Sequence, residues 1–123
     1  MNKLEQIKAT AHKIAKYASD KKAEDIILLN MEGLSSVTDY FIIASARNSQ
    51  LVKAIADNIE KELFVNEGIS ATHKEGYREG RWILMDFDSI VVHIFLEEER
   101  NFYNLEELWA QAPSEEYVEK EEE

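Results

Sequence analysis

The sequence predicts a single-domain α/β (α+β) fold, in which a mixed, mostly five-stranded β-sheet is flanked by helices. The chain has 123 residues, of which 45% are hydrophobic, and this is enough for one core. Apolar residues recur with helical spacing in two segments, whereas short runs rich in β-branched residues lie between and after them. In chain order these segments predict α-β-β-α-β-β-β-α.

Three helices are predicted from apolar spacing and capping residues. The first covers about residues 2–19, where one apolar stripe is formed by Leu4, Ile7, Ala11, Ile14 and Ala18. The second begins after Asn48, a residue type that caps helix N-termini, and ends at about Phe64, before Gly68. A last, short helical piece is predicted over about 102–109. Because the second helix separates two strands, the chain can cross over and place strands in parallel.

Five strands are predicted, at 25–30, 40–45, 69–74, 82–86 and 90–96. Only Phe87, Asp88 and Ser89 separate the last two, so these are predicted to pair as an antiparallel hairpin. Pro113 ends the folded domain, which is placed at residues 1–112. Residues 113–123 are predicted to be an acidic, disordered tail, since six glutamates lie between residues 115 and 123.

The charge balance separates classes of partner. The formal net charge is −11 and basic residues are scattered, so a phosphate backbone would repel the chain. Direct nucleic-acid binding is therefore not expected; a basic protein partner fits better, unless the charge serves only solubility. The absence of cysteine excludes disulfides and thiolate metal sites. No apolar run reaches the roughly 20 residues that span a bilayer, and the N-terminus is not a signal peptide, so a cytoplasmic protein without membrane contact is expected.

The pair Asp86 and Asp88 is the sharpest catalytic candidate. Two carboxylates at positions i and i+2 of a strand point to the same side and could hold Mg²⁺ for nucleotidyl transfer, with Gly33-Leu34-Ser35-Ser36 as a phosphate loop. The favoured alternative is that Asp86 ends a strand and Asp88 lies in the hairpin turn, where aspartate is common. No cluster of basic residues stands nearby to bind a triphosphate.

The histidines and the nucleophile motifs give no catalytic site. The spacing of His12, His73 and His93 matches no zinc pattern. His12 falls on the polar side of the first helix, where it is expected to be solvated. His93 alternates with apolar residues on a strand, which is typical of a core or interface histidine with one hydrogen bond. The sequence contains no G-x-S-x-G elbow, P-loop or G-x-G-x-x-G motif.

Aromatic residues concentrate near the end of the predicted domain, and this favours a docking surface. Trp82, Phe95, Phe102, Tyr103 and Trp109 lie within 28 residues. Tryptophan, tyrosine and arginine are the usual anchors of protein interfaces. The alternative is that these rings fill the core, which is expected for some of them. The pattern alone therefore indicates a binding protein rather than an enzyme.

Four motifs carry a resemblance to a known family: Thr38–Ala44, Trp82–Asp86, Val91–Phe95 and Arg100–Trp109. Together they resemble the ribosomal silencing factor family, also called Iojap-like, over about residues 2–112. The resemblance implies a nucleotidyltransferase-like fold without the catalytic machinery, no cofactor, and a possible homodimer. It also implies binding to the large ribosomal subunit through ribosomal protein fourteen of that subunit. Bound there, the protein would block the small subunit sterically and repress translation under nutrient limitation.

The resemblance also assigns a partner-binding role to seven residues: Trp82, Asp86, His93, Arg100, Tyr103, Leu105 and Trp109. Leu105 and Trp109 could equally hold the last helix to the sheet. The chain departs from the family at Asp88-Ser89, where the family usually has Gly-Asp, so the resemblance does not carry over a contact made by the usual turn aspartate. Two other functions stay open at this point: a metal-dependent nucleotidyltransferase that uses Asp86 and Asp88, and a generic acidic dimeric adaptor.

Overall fold

The computed structural model describes residues 2–119 of the chain. Four helices and six strands follow one another along it. In chain order they are α1 (Lys3–Ser19), β1 (Glu24–Asn30), β2 (Tyr40–Ala46), α2 (Ser49–Glu67), β3 (His73–Glu75), β4 (Trp82–Asp86), β5 (Ile90–Leu96), α3 (Glu97–Tyr103), α4 (Leu105–Leu108) and β6 (Ser114–Glu116).

One mixed sheet contains all six strands, in the order β3-β4-β5-β2-β1-β6. The parallel pair is β2 and β5, in which Ile43 lies opposite His93. All other neighbours are antiparallel, and the predicted hairpin of β4 and β5 is confirmed. The predicted mixed sheet is therefore confirmed, with six strands in place of five. The parallel pairing arises because the chain leaves β2, passes through α2, and returns beside β2 only at β5.

The long helices α1 and α2 form a layer over one face of the sheet. Asn2 and Asn48 cap their first turns, each accepting a hydrogen bond from a backbone N–H three residues later. Gly68 ends α2 in the left-handed conformation that glycine adopts without strain. Their apolar stripes bury the first core against β2, β4 and β5, with fully buried Ile14, Ile55, Ile59, Ile42 and Ile94. None of the helices within residues 2–119 combines the length and the apolar character needed to cross a membrane.

The bounds predicted from the sequence are wrong for two short elements, β3 and α3. β3 covers three residues at 73–75 rather than 69–74, and all three are exposed at the edge of the sheet. α3 begins at Glu97, directly after β5, in a segment that the sequence presents only as polar. Three glutamates occupy its first turn, where negative charge favours the helix by interacting with its dipole.

The predicted disordered tail requires a correction. Ser114–Glu116 form β6, which pairs antiparallel with β1 so that Leu28 lies opposite Glu115. The physical reason is the edge of β1, whose free N–H and C=O groups pair with any extended segment that reaches them. The backbone N–H of Tyr117 extends this pairing by donating to the Ile26 carbonyl at 2.9 Å. Residues 120–123 of the predicted tail lie outside the described residues.

Gly76 lets the turn after β3 pass close to β4, and its replacement is expected to be costly. Both Gly76 and Gly33 have positive φ, of 80° and 81°. A Cβ at Gly76 would overlap the Trp82 carbonyl, whereas a Cβ at Gly33 would meet nothing within 4 Å. We expect Gly33→Ala to lower the free energy of unfolding by about 1 kcal/mol from backbone strain. Gly76→Ala should lower it by about 3 kcal/mol, because steric overlap adds to the strain.

Urea unfolding of the two variants measures this difference directly. Gly33→Ala is the matched control, since it carries the same backbone strain without the overlap. Equal losses in the two variants would show that the turn can move away from β4.

Candidate functional site

The sheet face opposite α1 and α2 is only partly covered. α3 and α4 lie over it and enclose a second, smaller core of five buried residues: Leu29, Met31, Ile43, Phe95 and Ala112. α3 has seven residues and α4 has four, so together they are too short to cover the whole sheet. The part of the face that is formed by β4, the start of β5 and the start of β2 therefore stays accessible.

Five half-buried side chains form this accessible part, which we call the open face: Phe41, Trp82, Leu84, Asp86 and Val91. The first of these is on β2, the next three alternate along β4, and the last is on β5. Val91 lies opposite Asp86 where β5 pairs with β4, and opposite Phe41 where β5 pairs with β2. The five side chains therefore belong to one side of the sheet. The open face is thus a mostly apolar surface with one carboxylate.

A rim of exposed apolar side chains from α3 and α4 borders the open face. Phe102 and Leu108 are 81% and 71% exposed, and Tyr103 is 49% exposed. Tyr103 contacts Trp82 with ring centroids 4.8 Å apart, and Trp109 contacts Phe41 at 6.0 Å. Large apolar side chains that remain this exposed on a folded domain are typical of a site for another macromolecule.

His93 is a buried residue on the same side of the sheet as the open face, opposite Leu84, and it holds Trp82 in place. The indole N–H of Trp82, on β4, donates to His93 Nδ1 at 3.1 Å. The Trp82 ring also stacks on the ring of Phe95, on β5, with ring centroids 4.8 Å apart. An indole nitrogen can only donate, so His93 is the neutral tautomer with its proton on Nε2. His93 is 4% exposed, and burial lowers its pKa to about 4. Its Nε2 is buried with no hydrogen-bond partner among the described residues.

Arg100, expected on the partner-binding surface, is instead buried and acts inside the protein. It is 8% exposed. Nη1 donates to the Ser45 hydroxyl at 3.1 Å and to the Glu24 carbonyl at 3.4 Å, and Nη2 lies 3.3 Å from a Glu106 carboxylate oxygen. The guanidinium therefore ties α3 to β1, β2 and α4. Its role is to position the rim, since its donors already face oxygens of the protein.

Leu105 and Trp109 hold α4 to the sheet. Both are half-buried and pack against the second core. Trp109 also meets Phe41 edge to face, with an angle of 86° between the ring planes. This packing agrees with the structural role that the sequence allowed for these residues, and the partner-binding role stays a prediction. Trp109 also stands at the rim, since the residue is only half-buried.

The carboxylates of Asp86 and Asp88 do not share one side of a strand. β4 ends at Asp86, and Asp88 lies in the turn with a φ of 73°. Asp86 Oδ1 accepts the backbone N–H of Asp88 at 2.8 Å, so this oxygen stabilises the turn. Within residues 2–119, no three His, Asp or Glu side chains are grouped as a metal site would require. The geometry thus favours the turn interpretation over the nucleotidyltransferase one.

The departure at Asp88-Ser89 leaves the turn intact. A φ of 73° at Asp88 is the left-handed conformation that glycine prefers and that aspartate tolerates better than most residues. The Ser89 carbonyl accepts the N–H groups of Asp39 and Tyr40 and the hydroxyl of Thr38. Ser89 therefore joins the hairpin turn to the start of β2, which needs only its backbone oxygen.

The sequence interpretation missed three residues of the open face: Phe41, Leu84 and Val91. Their period-2 spacing was available, since Leu84 alternates with Trp82 and Asp86, and Val91 alternates with His93. What the sequence lacked was the parallel register that brings Phe41 beside Val91, because that pairing joins residues 50 positions apart in the chain.

Comparisons with known proteins give a consistent family. A family profile described as "ribosomal silencing factor during starvation" matches residues 4–123. A ribosomal silencing factor of Bacillus subtilis is 48% identical over 94 residues, which cover 76% of this chain and 79% of that protein. The chloroplastic protein Iojap of Arabidopsis thaliana is 35% identical over 104 residues, which cover 85% of this chain and 43% of that protein.

Two solved structures share the fold. A crystal structure from Bacillus halodurans has a TM-score of 0.72 at 40% identity and covers 85% of this chain and 95% of its own. A crystal structure from Chromobacterium violaceum has a TM-score of 0.79 at 29% identity and covers 96% of this chain and 95% of its own. The mixed sheet with its flanking helices is thus shared with solved structures over most of the chain.

The buried His93 is expected to make stability depend on pH. Its folded pKa of about 4 lies below the ordinary 6.5, so between these values the unfolded chain binds more protons than the native one. The contribution of neutral His93 to the free energy of unfolding is fully present above pH 6.5. It is lost as pH falls toward 4, by about 3 kcal/mol at most. His93→Gln keeps an acceptor for the Trp82 N–H and removes the titrating group.

Urea unfolding at pH 7, 5.5 and 4.5 checks this expectation. His93→Gln should lose less stability on acidification than the unmodified protein. His73→Gln is the matched control, since the His73 side chain is 59% exposed, and it should follow the unmodified protein. The same pH dependence in all three proteins would contradict the assignment of this titration to His93.

Proposed function

Because the chain belongs to the ribosomal silencing factor family, we propose that it silences translation by binding the large ribosomal subunit. The contact is made with ribosomal protein fourteen of that subunit, in the cytoplasm, when nutrients are scarce. The bound protein occupies the place where the small subunit would join. Silencing in this form is steric and needs no catalytic step and no cofactor.

The observation that carries this proposal is the open face with its apolar rim. The open face contributes an accessible tryptophan, and the rim contributes a tyrosine that contacts it. Residues of these types supply most of the binding energy of protein interfaces when they are buried by a partner. The face is sheet-based and rigid, so little conformational entropy is lost when it docks.

The charge of the chain supports a basic protein as the direct contact. A net charge of −11 opposes close approach to ribosomal RNA and favours a positively charged protein surface. On the open face, Asp86 is held by the N–H of Asp88 and is available as an acceptor for a basic side chain. In this assignment Trp82, Leu84 and Tyr103 are the apolar anchors, and His93 acts beneath them by orienting Trp82.

Leu84→Glu is expected to abolish stable binding to large subunits. The substitution places a charge in the middle of the proposed contact, and loss of an interface anchor costs about 2–4 kcal/mol, or about 30-fold or more in affinity. Val65→Glu is the matched control: Val65 is 66% exposed on α2, on the opposite side of the sheet. Sedimentation with separated ribosomal subunits measures binding, and circular dichroism checks that both variants are folded.

Three outcomes separate this proposal from its alternatives. Binding of the unmodified protein and of Val65→Glu, but not of Leu84→Glu, to large subunits supports the open face. Binding by all three would move the contact elsewhere on the molecule. Failure of the unmodified protein to travel with large subunits would count against silencing by this route and favour an acidic adaptor with another partner. Light scattering of the same samples reports whether the free protein is a homodimer.

A further inference from the structure

The C-terminal strand β6 is attached to the domain by few contacts. Its backbone pairs with β1, and the Asn30 N–H donates to the Pro113 carbonyl at 2.9 Å. All three of its side chains are exposed, so the strand buries almost nothing of its own. Hydrogen bonds at a sheet edge exchange readily with water, and the attachment of β6 therefore depends on its side-chain contacts.

One of these contacts joins β6 to α1 through His12, which is not solvated on all sides as the sequence suggested. His12 Nδ1 lies 2.9 Å from the Lys8 carbonyl oxygen, and His12 Nε2 lies 2.8 Å from a Glu115 carboxylate oxygen. Both neighbours can only accept hydrogen bonds, so both ring nitrogens must donate. Only the doubly protonated imidazolium does this, since each neutral tautomer turns a lone pair toward an oxygen.

The surroundings of His12 stabilise its protonated form. Partial burial by itself lowers the pKa of His12, but the hydrogen bonds to Glu115 and to the Lys8 carbonyl outweigh it and raise the pKa above 6.5. The charged groups that act on the ring are Glu115 on β6 and Lys8 on its own helix. Burial and the nearby Glu115 raise the pKa of Tyr40 on β2 above its ordinary value of 10, so Tyr40 does not titrate near pH 7.

A second exposed contact continues the attachment beyond β6. Lys16 Nζ lies 3.7 Å from a Glu119 carboxylate oxygen and 3.2 Å from Asp20. The Tyr117 hydroxyl donates to Glu119 at 2.9 Å, and Tyr117 packs on the first core. The hydrogen bond to Asp20 raises the pKa of Lys16, the hydrogen bond from Tyr117 lowers the pKa of Glu119, and burial raises the pKa of Tyr117. These three groups therefore keep their charge states across the range in which a histidine titrates. His12 is therefore the group that makes the attachment respond to pH.

We propose that residues 113–119 form a proton-dependent latch, in which protonated His12 holds Glu115 and keeps β6 on the edge of β1, and loss of that proton lets the segment detach. The direction of this pH dependence follows because proton binding to His12 and attachment of the segment favour each other. A histidine with a raised pKa in the closed form favours that form below its ordinary value of 6.5, and this contribution is lost as pH rises through the raised pKa.

Detachment of β6 affects the rim of the open face, because a short segment of the chain connects β6 to Trp109. The N–H of Ala112 donates to the Trp109 carbonyl at 2.9 Å, and Ala112 is buried in the second core. Pro113 follows Ala112 in the chain. Release of β6 removes the hydrogen bond that the Asn30 N–H donates to the Pro113 carbonyl. The protonation state of His12 thereby acts on Trp109 and on the free edge of β1.

Amide hydrogen exchange of Tyr117, measured by NMR on the full chain, tests the latch. Its N–H donates to the Ile26 carbonyl only while the segment is attached. After correction for the intrinsic exchange rate, protection of Tyr117 should fall about two- to fivefold between pH 6 and pH 8, the range expected for one exposed ion pair. The His12 ring proton signals should titrate with a midpoint above 6.5 in the unmodified protein and lower in Glu115→Gln.

Variants identify the group responsible. His12→Gln and Glu115→Gln should each remove the pH dependence of Tyr117 protection, whereas His73→Gln, the control for an exposed histidine elsewhere, should retain it. Protection of Tyr117 that is constant from pH 6 to pH 8 would overturn the proposal. So would a pH dependence that persists unchanged in His12→Gln.

Discussion

A buried guanidinium holds the two short helices α3 and α4 in position on the second sheet face. Arg100 takes a full positive charge to 8% exposure, which is favourable only because oxygens from β1, β2 and α4 surround it. Helices of seven and four residues are not stable by themselves in water. Their position therefore depends on this internal contact and on the residues that pack beneath them. Longer helices would have closed the face, as α1 and α2 close the other side.

The surroundings of His93 and His12 shift the pKa values of these two histidines in opposite directions. His93 is buried among aromatic rings, where no carboxylate or carbonyl of residues 2–119 accepts from it, and burial lowers its pKa to about 4. His12 is only partly buried between two oxygen acceptors, and its pKa is raised. The surroundings thus favour the neutral form of His93 and the protonated form of His12.

The parts of the fold that the sequence predicted well are those with strong apolar patterns. The bounds of β4 and β5 agree with the predicted 82–86 and 90–96, because alternation and apolar runs are local signals that tertiary packing reinforces. β6 escaped prediction because Ser114–Glu116 contain no apolar residue, and its pairing comes from the free edge of β1. Tertiary context, rather than propensity, decided that element.

The candidate site was predicted in part for the same reason. Trp82 and Tyr103 were found from residue type, and they do lie together. Arg100 was assigned to the partner-binding surface by the family resemblance, but its long side chain reaches back to oxygens that are distant in the chain. Phe41 joins the site only through the parallel register of β2 and β5. Contacts that depend on long-range register or on the direction of a flexible side chain are not visible in one sequence.

Both outer strands of the sheet are three residues long and carry charged side chains, His73-Lys74-Glu75 at one edge and Ser114-Glu115-Glu116 at the other. Short, charged edges resist pairing with strands of other molecules. With β6 in place, a partner gains little by adding a strand and must pack against the sheet from the front. Main-chain pairing accepts almost any extended peptide, whereas face-on packing discriminates by the shape of side chains. The way in which the sheet ends thus favours contacts through the side chains of its face over contacts through its main chain.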